Sequence, residues 1–112
     1  MSRRHLGEFE EVVMLTVAIL HGEAYGIAII EEMERRLDRK VSIGSLQTVL
    51  RRLEKKGYLE SEFGEATKQR GGKRKRYFTV TNFGKQALEA SKDQRMALWN
   101  AIPPIAFNHL SS

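Results

Sequence analysis

A chain of 112 residues is long enough for one domain with a modest core, and its 41% hydrophobic and 29% charged content is that of a folded soluble protein, not a disordered one. A net charge of +5 and a pI near 9.7 favour acidic partners such as nucleic acid or an anionic membrane, without fixing a fold. With no cysteine, the chain has neither disulfides nor thiolate metal sites.

The opening stretch MSRRHLGEFEEVVMLTVAIL sets Arg3 and Arg4 ahead of an apolar run, as a secretion signal would. Glu8, Glu10 and Glu11 interrupt that pattern, and no small-residue cleavage site follows. The run from Val12 to Leu20 is nine residues long, too short to span a bilayer. The expectation is a cytoplasmic protein with no membrane role.

Residues 7–20 read as a first helix. Phe9, Val13, Thr16, Val17 and Leu20 form one stripe, which Val12, Leu15 and Ile19 widen almost all round, so part of this helix is expected to pack on a partner subunit. His21-Gly22 ends it. A second helix runs from about Tyr25 to Leu37, with Ile29, Ile30, Met33 and Leu37 inward and Glu31, Glu32, Glu34, Arg35 and Arg36 outward. Val41 and Ile43 flank Ser42 with period two, which allows a very short strand.

A third helix begins within Ser42–Ser45, where a serine hydroxyl can cap free N–H groups, and stops at Lys56-Gly57. Leu46, Val49, Leu50 and Leu53 recur at helical spacing, and the opposite side carries Gly44, Thr48, Arg51, Arg52 and Lys55. Next come two alternating runs, YLESEF and RKRYFTV, joined by a Gly-containing loop; they read as a β-hairpin. Thr81 caps a last helix over about Asn82–Ala101, which stops before Pro103-Pro104. The order predicts an α+β, mostly α fold: a winged helix-turn-helix over 1–80, an added C-terminal dimerisation helix over 81–102 and an irregular tail over 103–112.

Three constellations carry function. In the third helix, small residues at the start (Ser42, Gly44, Ser45) let a backbone approach phosphate, where free N–H groups and the helix dipole favour an anion. Gln47, Thr48 and Arg51 are suited to base edges in a major groove, while Arg52, Lys55 and Lys56 are placed for phosphates. The same residues would also make an ordinary solvated face, a reading the helix alone does not exclude. In the hairpin tip, Lys68, Arg70, Lys73, Arg74, Lys75 and Arg76 crowd together, and Gly71-Gly72 lets the loop bend. Such a loop fits a phosphate backbone or a narrow minor groove, although lysines on an exposed hairpin also guard its edge. In the last helix, Leu88, Met96, Leu98, Trp99 and Ile102 form an apolar side that a two-fold dimer would cover. Trp99 and Met96 then either pack in that interface or line a pocket for a small effector, and Phe9 and Val13 of the first helix join Leu88 on the same dimer or pocket surface.

Enzyme signals are missing. His5, His21 and His109 lack metal spacing, GSLQTVLRRLEKKG lacks the residues of a phosphate loop, and no carboxylate pair is set for acid–base work. No cofactor is expected.

The stretches AYGIAIIEEME, SIGSLQTVLRRLEKKGYL and RGGKRKRYFTVTNFG resemble the PadR family of bacterial transcriptional regulators, over about residues 6–100. The resemblance rests on Tyr25-Gly26, on Gly44-Ser45 with Arg52-Leu53-Glu54 and Gly57-Tyr58-Leu59, and on Gly71-Gly72 before a basic strand that leads to Tyr77-Phe78 and Thr81-x-x-Gly84. One short C-terminal helix is similar to the smaller subfamily. The resemblance implies a homodimeric repressor of double-stranded DNA, with Tyr25 at the start of the second helix joining the third helix and the wing on the duplex. Members of that family often respond to small molecules, frequently planar aromatic ones, or to stress signals, so the resemblance allows for an effector of that kind. The family usually has Tyr where this chain has Gln47, and that Tyr commonly contacts phosphate or base edges; Gln47 is instead a candidate to read a base. The competing expectation is a winged-helix module for protein or RNA. An inverted repeat at half-site spacing would distinguish the DNA regulator from it.

Overall fold

The computed structural model describes residues 6–65 and 74–108. Along them run α1 (Glu8–Ile19), α2 (Gly26–Leu37), α3 (Ile43–Lys55), β1 (Leu59–Phe63), β2 (Arg76–Val80), α4 (Asn82–Ala101) and a single turn, α5 (Ile105–Asn108). The architecture is α+β, mostly helical: a winged helix-turn-helix whose wing is the antiparallel pair β1–β2, followed by a long helix.

The core lies where the first three helices meet the base of the wing. Val13, Met14 and Val17 of α1 pack with Ile29 and Met33 of α2, with Leu46, Val49, Leu50 and Leu53 of α3, and with Tyr58, Leu59 and Phe78. The wing pairs Leu59 with Val80 and Phe63 with Arg76. The Phe78 N–H, on the free edge of β2, donates to the Ala24 carbonyl at 2.8 Å, which ties the wing to the turn before α2.

Three expectations are corrected. No strand forms at Val41–Ile43, because the Ser42 hydroxyl accepts from the Ser45 N–H (3.1 Å), so Ser42 caps α3 and Ile43 opens it. Leu37 is exposed, because α2 is ending there: Asp38 follows it in the left-handed region (φ 52°). Within the tail expected to be irregular, Ile105–Asn108 makes one helical turn, and Phe107 folds back to 6.3 Å from Trp99, centroid to centroid.

The end of α3 governs how the second half of the chain is attached. Gly57 takes φ +85°, its N–H bonds the Glu54 carbonyl, and the Tyr58 N–H bonds the Leu53 carbonyl. This is a Schellman stop, and it turns the chain straight into β1. Tyr58 is buried, and its carbonyl accepts from the Thr81 N–H at 3.0 Å. The Thr81 hydroxyl donates to the Gly57 carbonyl at 2.6 Å and accepts from the Gly84 N–H at 3.0 Å, capping α4. Gly84 is needed for this approach, since a Cβ there would lie 2.2 Å from the Tyr58 carbonyl oxygen.

Only the start of α4 is covered. Gly84 and Ala87 are buried and Leu88 is partly buried, while every residue from Lys92 to Ala101 is exposed. The helix therefore projects. The molecule measures 61 × 33 × 21 Å with a radius of gyration of 17.4 Å, against about 13 Å for a compact domain of some 100 residues.

Two adjacent carboxylates fix α1 to its neighbours. Glu10 accepts from the Gly7 N–H (2.9 Å), Arg52 Nε (3.1 Å) and Lys56 Nζ (2.9 Å). Glu11 pairs with Arg95 of α4 at 2.7 Å. Burial works against charge on Glu10, but the Gly7 N–H, Lys56 and Arg52 outweigh it and hold the carboxyl below its ordinary value of 4.5.

Two predictions follow from these contacts. Gly84→Ala should destabilise the fold by about 1–3 kcal/mol in chemical denaturation, although helix propensity alone favours Ala by about 1 kcal/mol; an unchanged or raised midpoint would deny the close approach. Because folding lowers the pKa of Glu10, its contribution is complete above 4.5 and fades as pH falls through the folded value. Glu10→Gln should therefore lower stability at neutral pH and flatten the loss of stability on acidification, as read by melting temperature against pH.

Candidate nucleic-acid interface

One turn of α3 is 3.6 residues, so its surface divides into strips. Leu46, Val49, Leu50 and Leu53 fill the core. Opposite them Gly44, Thr48, Arg51 and Lys55 form an exposed ridge, with Gln47 exposed on the side toward the wing. Ser45, Arg52 and Lys56 lie on the side toward α1.

Each polar group on the ridge has a defined state. Thr48 donates its hydroxyl to the Gly44 carbonyl (3.0 Å), so its methyl is the group left for an apolar contact. A Cβ at Gly44 would meet nothing within 4 Å, so packing within the described chain does not require glycine there. What a side chain would obstruct is close approach from outside. Ser42 and Ser45 are joined by their hydroxyls (3.0 Å) as well as by the cap bond, which orders the first turn.

The wing adds cations braced on aromatic rings. Lys75 Nζ stands 4.0 Å from the centroid of Tyr25, and Tyr25 meets Tyr77 edge-on at 5.6 Å. The Arg74 guanidinium lies 5.5 Å over Phe63, and its Nε donates to the Gly64 carbonyl at 2.8 Å. Arg76 reaches back toward α3: its Nε donates to Ser61 Oγ (2.8 Å) and its Nη2 lies 3.3 Å from Glu54 Oε1, while Ser61 Oγ donates to Glu54 Oε2 at 2.7 Å. Glu54 thus locks the wing to α3. Lys68, Arg70, Gly71, Gly72 and Lys73 lie outside the described residues.

Between the wing and α3 is a cavity of about 520 Å³. Tyr25, Gln47, Arg51, Arg74, Lys75 and Arg76 line it together with Ile27 and Ile43. The two isoleucines are about half exposed and were not among the expected contacts. The period-two flanking of Ser42 only allows a short strand at Ile43, and Ile27 is not in the expected apolar stripe of α2; the only signal for them is large aliphatic side chains at two helix starts.

The structure therefore brings Tyr25, Gln47, Arg51, Arg74, Lys75 and Arg76 around one cavity, with Gly44, Thr48 and Lys55 exposed on the ridge beside it and Ser42 and Ser45 at the start of the helix. It sets Arg52 apart, because Glu10 holds the guanidinium toward α1.

The expected dimer or effector surface is partly redrawn. Val13 is fully buried in the core, and Phe9 is half-buried against the core with the Arg39 guanidinium 5.2 Å over its ring. Neither faces α4, because α1 turns Glu11 and Leu15 that way instead. Leu88 and Met96 line a second cavity of about 360 Å³ with Glu11, Leu15, Glu89, Lys92 and Arg95. Trp99 does not line it and sits against Phe107.

Among the described residues, no cluster of three or more His, Asp or Glu is set to hold a metal ion. No helix there is long and apolar enough to cross a membrane.

Comparison with known proteins agrees with this geometry. The model of the transcriptional regulator PadR-like family matches residues 14–90. An uncharacterised protein of Lysinibacillus sphaericus is 38% identical over 72 residues, which span 62% of this chain and 63% of that one, so the chain matches under two thirds of this relative's length. The solved structure of a PadR-like transcription factor from Bacteroides fragilis is 27% identical, with a TM-score of 0.70 over 91% of this chain and 88% of that one. A PadR family transcriptional regulator from Eggerthella lenta is also 27% identical, with a TM-score of 0.66 over 83% of this chain and 80% of that one. With the family model spanning well over half of its residues, the chain belongs to the PadR-like family of transcriptional regulators.

Proposed function

We propose that this chain is a homodimeric repressor that binds an inverted repeat in double-stranded DNA, with α3 in the major groove and the wing on the adjoining backbone. The observation that carries the reading is the shared face of α3 and β2. Gln47 and Arg51 of α3 line one concave surface there with Tyr25 and the wing cations Arg74, Lys75 and Arg76, beside the exposed residues Gly44, Thr48 and Lys55. Gln47 and Arg51 are the groups suited to adenine and guanine edges, and the Thr48 methyl suits thymine. Lys55, Arg74 and Lys75 suit phosphates, which set register without reading sequence.

The proposed dimer rests on surface that a lone copy leaves wet. Leu98 and Trp99 are 73% and 63% exposed, and Met96, Ile105, Phe107, Leu15 and Ile19 are each about half exposed or more. On α4 the stripe that buries Gly84, Ala87 and Leu88 continues through Leu98, Trp99 and Ile102 past the edge of the body. A second copy would bury it by a two-fold contact. The cleft of Leu15, Leu88 and Met96 between α1 and α4 is the seat we assign to a small planar aromatic effector, which would release the repressor.

Selection of bound duplexes from a random library at about 0.15 M salt should enrich two half-sites about 34–36 Å apart. A flat outcome with intact dimer would defeat the reading. Arg51→Ala should relax preference at one base pair and cost about 1–3 kcal/mol. Arg74→Ala should weaken every sequence alike and reduce the salt slope by about 0.9. Leu98→Asp should shift sedimentation from dimer to monomer and abolish tight binding to the repeat, with the fold intact by circular dichroism. Met96 lies one turn from Trp99, so a planar aromatic that seats in the cleft should change Trp99 fluorescence; a panel that leaves the emission and the DNA affinity unmoved would remove the effector.

A further inference from the structure

The ridge of α3 carries the cations expected to meet DNA, yet two neighbouring cations on the same helix end do not stand free. Arg52 follows Arg51, and Lys56 follows Lys55, and each is about 100° round the helix from its neighbour. Both converge on one oxygen of Glu10, at 3.1 and 2.9 Å. The other oxygen accepts the Gly7 N–H at 2.9 Å. The Glu10 side chain is 10% exposed, whereas those of Arg52 and Lys56 remain half and one-third exposed.

We infer that Glu10 limits the strength of sequence-independent DNA binding by withholding Arg52 and Lys56 from phosphate, and is the positioning residue for both. The inference rests on the DNA-binding reading above. A DNA phosphate is a solvated anion that would have to draw these cations off a buried carboxylate. Doing so would leave Glu10 charged, desolvated and short of its donors, the costly half of breaking such a pair. The exchange is therefore unfavourable while Glu10 is ionised. Removing that charge leaves two long cationic side chains beside the ridge with no competing anion. Each phosphate they then neutralise releases about 0.9 counter-ion, which steepens the salt dependence of binding to any duplex.

The test compares salt slopes on the selected repeat and on a scrambled duplex of the same length. Glu10→Gln keeps the shape and an acceptor for one donor. It should tighten binding several-fold on both duplexes and steepen both slopes by about 1 to 2 units. Glu8→Gln removes the same charge two residues earlier, where the partner is Arg39 of the segment before α3. It should leave the slopes unchanged, which separates release of the cations from a general change in net charge. Arg52→Ala and Lys56→Ala should each leave wild-type binding unchanged but undo part of the gain in the Glu10→Gln background. Thermal melts of the four single variants and the two double variants, with the Glu10→Gln slope measured well below its melting temperature, exclude loss of fold as the cause.

Three results with the variants would overturn the inference while leaving the DNA-binding reading in place. Arg52→Ala that lowers the wild-type slope by about 1 unit would place Arg52 on phosphate already. Glu10→Gln and Glu8→Gln of equal effect would leave only net charge. Glu10→Gln with unchanged slopes would show that the cations stay away for another reason. Wild-type protein that binds neither duplex would sink the DNA-binding reading and this inference with it, and that outcome is recognised before any variant is made.

Discussion

The architecture depends on a knot of backbone contacts at Gly57, Tyr58, Thr81 and Gly84. The Tyr58 carbonyl accepts from Thr81, the Thr81 hydroxyl bridges the Gly57 carbonyl and the Gly84 N–H, and Gly84 has no room for a Cβ. At that point the end of α3, both roots of the wing and the start of α4 are held within hydrogen-bonding distance of one another. A wing that joined α3 by a slack loop would share no rigid face with it. Here the last turn of α3 and the first residue of β1 are separated only by the Schellman stop, so the ridge and the strands form one body. The Glu54–Ser61–Arg76 chain then closes the same body from its exposed side.

Charge is distributed on two levels in this small basic protein. Some cations are spent internally: Arg35 and Arg36 on Glu32, Arg39 on Glu8, Arg52 and Lys56 on Glu10, Arg76 on Glu54 and Arg95 on Glu11. Arg51 and Lys55 of the ridge make no ion pair among the described residues, and Lys75 is braced by a ring instead of a carboxylate. The net charge of +5 therefore understates how unevenly free positive charge is placed. Part of it lies on the face shared by α3 and the wing, at Arg51, Lys55 and Lys75, where a focused field would steer an anionic partner.

Much of this was legible in the sequence, for local reasons. Ser42 and Thr81 announce helix starts because their hydroxyls answer an N–H three residues on, and Gly57 announces a stop because only glycine takes the left-handed turn cheaply. The strand alternation and the α3 stripe have short periods that one segment can display by itself. What was not legible lies in pairings between distant segments. Nothing in the stretch around Arg52 reveals that a carboxylate 42 positions earlier will meet it. Phe9 and Val13 were assigned to an interface because α1 is apolar almost all round, and a helix without a wet side has no phase from which to separate core from contact surface. The structure supplies the phase through Glu11 and Leu15, which turn toward α4. Ile27 and Ile43 escaped for the opposite reason: each stands in the first turn of its helix, where periodicity has not yet been established by repetition.

Glu10 and Glu11 are consecutive, and that adjacency has a mechanical meaning. Successive residues on a helix point about 100° apart, so α1 grips α3 with one carboxylate and α4 with the next, over a baseline of a single 1.5 Å rise. So short a baseline leaves little lever arm for twisting one attached helix without the other. The helix that faces outward with its polar ridge and the helix that projects from the body behave as two spokes on one hub. In any symmetric pair joined through the projecting spokes, the distance between the two ridges would depend on this hub as well as on the contact between the copies.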